Sequence, residues 1–235
     1  MIIKNKFLRV AVVILFVAVE MTLGVLLQTA PGRTADVCRL GSVILCCLFC
    51  LLFMSRSRAY LLTQLAMICT VCADYLLVWV QPRAQLPAML FFLVVQFSYA
   101  TRLSCSDPLR PRRRVQWCTV VVLGTVVLLF TRLILGPNTD TLAQVSMLYY
   151  TVLVANVLFA TIRIRSNPLL AIGLVLFLCC DTVIGLHMMG GYLPMRTDYA
   201  LYRAVRPGFD LAWAFYLPSQ VFITLSLIFD ARKNK

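Results

Sequence analysis

The sequence holds a single histidine, His187. One imidazole cannot build the three-histidine centre of a ceramidase-like membrane metal hydrolase. Charge is also scarce: 13% of residues are charged and 61% are hydrophobic. Asp and Glu together number 9. Long polar stretches are lacking, so no soluble domain fits between the apolar runs. Internal repeats and low-complexity segments are missing too.

What is present is apolar sequence in lengths that suit a bilayer, where a crossing takes about 20 residues. Eight runs are read, at 7–28, 38–54, 59–80, 86–101, 115–135, 142–162, 168–189 and 211–229. Only helices and closed barrels satisfy the backbone in lipid, and these runs are too long for barrel strands. The sequence therefore predicts an all-α, polytopic membrane helical bundle, with residues 1–235 as one transmembrane domain.

The net charge of +13 raises nucleic acid as a partner. Its placement argues against that. Lys4, Lys6 and Arg9 precede the first run, and Arg56 and Arg58 join runs two and three. Arg102, Arg110, Arg112, Arg113 and Arg114 are read as joining runs four and five, and Arg163 and Arg165 join six and seven. Arg232, Lys233 and Lys235 end the chain. These all fall on one side; Arg33, Arg39, Arg83, Arg132, Arg196, Arg203 and Arg206 fall on the other. Positive residues favour the cytoplasmic side, which predicts both termini there. The block Pro108–Arg114 reads as a lipid-facing anchor. A plasma or inner membrane is the simplest location. The first run is too long for a signal peptide's core, and Gln28-Thr29-Ala30 is a poor cleavage site, so it reads as an uncleaved anchor.

Ten cysteines include two CxxC spacings, Cys47–Cys50 and Cys69–Cys72. Both lie inside apolar runs, where cysteine acts as a small hydrophobe. Neither a metal nor a cofactor is called for. Pro82, Pro87, Pro108, Pro111, Pro137, Pro168 and Pro207 mark helix ends. Pro218 falls within the last run and predicts a break that frees the carbonyl of Ala214.

Two aspartates stand inside the apolar runs, Asp74 in the third and Asp181 in the seventh. A charge at bilayer depth costs roughly 3 kcal/mol on insertion scales. Such residues face a protein interior and serve a purpose there. Glu20, Asp74 and Asp181 lie roughly 13–15 residues along their helices, about 20 Å deep. Tyr216 and Gln220 reach a similar depth from the other direction, so the five are expected in one layer. Helical spacing adds inward faces: Tyr60, Thr63, Met67, Thr70 and Asp74 on the third helix, and Trp213, Tyr216, Gln220 and Thr224 on the last. Gln96 and Tyr99 pair on the fourth; Tyr149, Asn156 and Arg163 share a face of the sixth. Gly185, one turn past Asp181, offers room for a neighbouring helix or a substrate. The plainer alternatives are that the Thr and Tyr stripes and Glu20 fasten helices, and that His187 is an interfacial residue.

These residues resemble the lysoplasmalogenase (YhhN-like) membrane proteins. That family carries Gly-Asp before apolar residues on its third helix, where this sequence has Ala73-Asp74-Tyr75-Leu76-Leu77. Its fourth-helix His-x-x-Tyr is matched by Gln96-Phe97-Ser98-Tyr99. Its Ser-Asp-x-x-Ile/Leu-Ala on the seventh is matched by Cys180-Asp181-Thr182-Val183-Ile184-Gly185. Its final Tyr-x-x-Ala-Gln is matched by Tyr216-Leu217-Pro218-Ser219-Gln220. Gln96 stands for the family histidine, and glutamine cannot shuttle a proton near neutral pH.

The resemblance implies hydrolysis of the vinyl ether of a lysoplasmalogen, with a lysophospholipid as substrate and membrane lipids as surroundings. Asp74 and Asp181 are then the catalytic pair. Gln96, Tyr99, Tyr216, Gln220 and Glu20 are the substrate-binding candidates. Vinyl ether cleavage needs an acid to protonate carbon and a second carboxylate to stabilise the cation, a demand glycosidases also meet with two carboxylates. Burial disfavours the charged form of a carboxyl group, which is how one of a pair stays protonated. Arg196, Arg203 or Arg206 would suit a phosphate headgroup. Two other classes stay open: a lipid-binding or sensor protein that tolerates Asp→Asn changes, and a proton-coupled transporter. The lack of a repeat and of matched interrupted helices speaks against the second.

Overall fold

The computed structural model describes residues 6–52, 57–80, 84–106, 109–136, 139–189 and 209–233. Lys4, Arg56, Arg83, Arg196, Arg203, Arg206 and Lys235, with Pro82, Pro108, Pro137 and Pro207, lie outside them. Eight helices make up the described residues: α1 (Lys6–Thr29), α2 (Arg33–Leu52), α3 (Arg58–Tyr75), α4 (Gln85–Cys105), α5 (Arg110–Leu135), α6 (Thr141–Ile162), α7 (Pro168–Met189) and α8 (Leu211–Lys233). All eight are long and apolar enough to cross a membrane. No strand occurs among the described residues. The expected spans and helix count hold.

Local chemistry sets the ends. Asp140 caps α6, its carboxylate accepting from the Ala143 amide at 2.7 Å, and Asn167 does the same for Leu170 at the start of α7. Asp210 accepts from the Trp213 amide at the start of α8. Such caps satisfy amides that no helical carbonyl can reach. Proline stands near the start of α4, α5 and α7, where its missing N–H costs nothing. Gly32 and Gly136, with φ of 50° and 55°, turn the chain after α1 and α5.

Two sequence assignments change. Arg102 belongs to the last turn of α4, not to a loop, and is only 1% exposed. The arginines at 110 and 112–114 open α5 rather than precede it. A helix propagates through any residue that can add a hydrogen bond, so apolar runs understate helix length.

Six helices close a ring in the order α2, α3, α4, α6, α7, α8, with α8 returning to α2. Helix α1 lies outside against α2 and α8, and α5 outside against α6 and α4. The ring interior is the core, and the stripe Tyr60, Thr63, Met67, Thr70, Asp74 faces it as expected.

Helix α8 runs antiparallel to α7: Asn167 at the start of α7 donates to the carbonyl of Ser226, near the end of α8, at 3.1 Å. Their close approach is made by Gly173, not Gly185. A Cβ on Gly173 would stand 2.7 Å from Ile223 Cγ1 and 3.0 Å from the carbonyl oxygen of Ser219. One on Gly185 would meet nothing within 4 Å. Among the described residues, no neighbouring helix approaches Gly185. Pro218 does lie inside α8.

Candidate active site between α3, α6, α7 and α8

Asp74 closes the inward stripe of α3 and is 3% exposed. The Tyr216 hydroxyl, from α8, donates to Asp74 Oδ2 at 2.7 Å. The last turn of α3 then widens into a π-helical turn, Leu76–Val80. Such turns insert a residue and often accompany functional sites. Here the turn begins two residues after the aspartate.

Asp181 forms a second pair of the same kind. The Tyr149 hydroxyl, from α6, donates to Asp181 Oδ2. One residue further on, the Tyr150 and Thr182 hydroxyls meet at 2.9 Å, which fastens α6 to α7 at this height. Asp181 is partly buried. The two carboxyl groups stand close enough to interact electrostatically.

An aromatic wall connects the pairs. Tyr149 packs on Phe92 with ring centroids 5.9 Å apart, Phe92 on Phe177 at 6.2 Å, and Phe177 on Tyr216 at 5.4 Å. Trp213 extends it, 4.9 Å from Tyr216. Tilted and edge-on contacts at these separations are favourable and hold the rings rigidly. The wall fixes the tyrosines, and the tyrosines fix the carboxylates.

The model of the YhhN family matches residues 34–227. The chain belongs to the YhhN family. That family is the lysoplasmalogenase-like one, as the motifs implied. No curated protein and no solved structure matches the chain.

The YhhN match takes in both aspartates and both tyrosine partners. It starts on α2, so Glu20 on α1 falls outside it. The structure also sets Glu20 apart from the aspartate pair. Its carboxylate accepts from Ser42 at 2.5 Å and from the Cys46 thiol at 3.3 Å. Cys50, one turn further along α2, bonds Thr224, two turns along α8 from Tyr216, at 3.7 Å. Glu20 is thus held by α2, from a helix that stands outside the ring.

Gln96, Tyr99 and Gln220 are fully buried in the YhhN ring. Gln96 Oε1 accepts from Asn156 Nδ2 at 3.1 Å, and the Gln96 side chain lies against the Tyr149 hydroxyl. Tyr99 Oη, Gln96 Nε2, Gln220 Oε1 and Asn156 Oδ1 have no well-formed hydrogen bond within the protein. Leaving such a buried atom unpaired costs about 1–3 kcal/mol.

Three features escaped sequence reading. Tyr149 was placed on an inward face without its role as the partner of Asp181. Arg102 is buried, with Nη2 donating to Ser226 Oγ at 2.8 Å; its place near the end of an apolar run made it look like a loop residue. Arg39 bridges Asp36 at 2.7 Å and Asp210 at 2.6 Å, beneath the Trp213 ring. Gln28 completes this clamp by bonding the backbone of Asp210 at both its amide and its carbonyl. Only the i,i+3 spacing of Asp36 and Arg39 signalled any of it.

Proposed function

We propose that the chain is a membrane-embedded hydrolase that cleaves the vinyl ether of a lysoplasmalogen or a related lysolipid. The observation that carries this reading is the pair of Asp–Tyr couples, Asp74–Tyr216 and Asp181–Tyr149, within electrostatic reach of each other. A vinyl ether is cleaved by proton transfer to its β-carbon. One aspartic acid gives that proton, and the resulting oxocarbenium ion is stabilised by the other carboxylate. The same carboxylate takes a proton from the attacking water. The hemiacetal then collapses to a fatty aldehyde and a glycerophospho-alcohol, so one water is consumed and no net proton.

Each tyrosine holds one carboxylate oxygen. For Asp74 this leaves Oδ1 to act on the substrate. Catalysis by groups fixed in this way needs little rearrangement at the moment of reaction. Gln96, Tyr99 and Gln220 border the same interior and orient water or the lipid glycerol. An apolar groove of about 370 Å³ lies outside, between α2, α3 and α4, past Tyr75 and Leu76. It suits an acyl chain whose polar end reaches inward. The protein resides in a plasma or inner membrane with both termini cytoplasmic.

A second reading is a non-catalytic lipid-binding protein on the same fold. Gln96 favours it, since this residue stands where the family has histidine and is engaged with Asn156. Aldehyde release from a lysoplasmalogen by the purified protein separates the two. Asp74→Asn and Asp181→Asn, shown to be folded, are expected to abolish release while retaining the lipid. A wild type that binds the lipid without releasing aldehyde rejects the hydrolase.

A further inference from the structure

Helix α5 opens against its own dipole. It begins at Arg110, with Arg112, Arg113 and Arg114 close behind, and its first turn holds no acidic residue. The start of a helix is its positive end, where cations are unfavourable. Arg110 and Arg114 also stand four residues apart, a spacing at which like charges repel. Between residues 106 and 116 the sequence sets one carboxylate, Asp107, against four arginines. Asp107 lies outside the described residues. Among those described, Arg110 and Arg114 form no ion pair, and both are exposed. Orienting the chain in a membrane does not require arginines inside a helix, since loop residues serve equally well.

The fold nevertheless holds this end of α5 in place. Gln116 Nε2 donates to the Ala100 carbonyl of α4 at 2.7 Å. Arg163 Nη1, from the end of α6, donates to the Leu103 carbonyl at 2.7 Å and to Gln116 Oε1 at 3.3 Å. Trp117 stacks on Phe97 with ring centroids 6.4 Å apart. The charge is therefore fixed on a built corner rather than carried on a free end. Helical spacing places Arg110, Arg114 and Val121 on one face of α5, and Val121 is 63% exposed. Trp117 borders that face. Since α5 stands outside the ring, the face runs from two arginines straight onto lipid-facing apolar surface. Its occupant has to bring negative charge at one end and an apolar body behind it.

We propose that this face of α5 is a docking site for an anionic phospholipid, with the phosphate between Arg110 and Arg114 and a chain along Val121. Guanidinium groups suit phosphate because each offers paired N–H donors. The lipid supplies the negative charge that the helix start lacks, and Trp117 on Phe97 keeps the corner rigid beneath it. The site is separate from the groove between α2, α3 and α4, and it does not depend on the hydrolase reading.

The test uses the full chain in nanodiscs of phosphatidylcholine alone and of phosphatidylcholine with an equal part of phosphatidylglycerol. The thermal midpoint of the wild type is expected to rise by several degrees in the mixed lipid. Arg110→Gln, Arg114→Gln should lose that rise. In phosphatidylcholine alone this variant should be at least as stable as the wild type, since a repulsion is relieved; that result also shows that it folds. Arg9→Gln, Arg58→Gln removes the same charge from the same side of the membrane, on α1 and α3, and should keep the rise. A rise kept by the α5 variant overturns the proposal. So does a rise lost equally in both variants, which would assign the effect to the basic side as a whole.

Native mass spectrometry of micelles holding equal amounts of the two lipids gives the second readout. The wild type should retain phosphatidylglycerol over phosphatidylcholine by about tenfold, and the α5 variant should retain both alike. Inorganic phosphate at matched ionic strength should leave that preference in place. Loss of the preference to inorganic phosphate overturns the lipid as occupant in favour of a soluble anion. Neither readout involves aldehyde release, so failure here and failure of the hydrolase reading are told apart.

Discussion

Tyr216 and Asp74, 142 residues apart in sequence, share a hydrogen bond of 2.7 Å across the α3–α8 interface. Removing the hydroxyl leaves the carboxylate without its orienting donor. Tyr216→Phe is expected to lower kcat for aldehyde release by about 10- to 100-fold, the range for a misplaced acid or base. In Asp74→Asn the same change should add little. Steady-state kinetics of the two single variants and the double variant check this; additive losses would separate the two residues.

The resemblance sets Gln96 at the family's histidine, and Gln96 accepts from Asn156 at 3.1 Å. Gln96→His introduces a group that titrates near neutral pH. It is expected to raise aldehyde release several-fold while the fold is kept. The assay is the same lysoplasmalogen turnover, and an unchanged or lower rate would show that glutamine already serves the chemistry.

Gly173 sets the distance between α7 and α8. Gly173→Val forces a side chain onto Ile223 and the Ser219 carbonyl, and overpacking of this kind costs about 1–3 kcal/mol. A fall in thermal midpoint of several degrees is expected in detergent. Gly185→Ala, in open space, should leave the midpoint unchanged.

The Arg39–Asp210 pair joins α2 to the start of α8. Both side chains are partly exposed, which limits the contribution of the pair to about 1 kcal/mol. Arg39→Met should lower thermal stability slightly, and the difference from wild type should shrink at high salt. A salt-independent loss would point to packing on Trp213 instead.

The fold was legible because lipid leaves few choices: eight apolar runs of spanning length have one kind of solution. The inward faces were legible for the same reason, since Asp74, Tyr216, Gln220 and Thr224 recur at helical spacing. Helix neighbours were not. Nothing in the periodicity of α1 says that it stands outside the ring, and so Glu20 was grouped with aspartates it does not meet. The sequence points to Gly185 because it lies beside Asp181, but the close approach falls at Gly173, since the crossing point of two helices depends on their whole relative tilt. Arg102 was misplaced because a charge near the end of an apolar run looks the same whether it leaves the helix or turns inward.

Gly173 brings α7 against the backbone of α8 at Ser219 and Ile223. Two helices locked main chain to main chain have no side chains to swing aside, so α7 and α8 behave as one rigid jamb. On the hydrolase reading the lipid then enters elsewhere, and the apolar groove between α2, α3 and α4, beside the widened last turn of α3, is where its chain would lie.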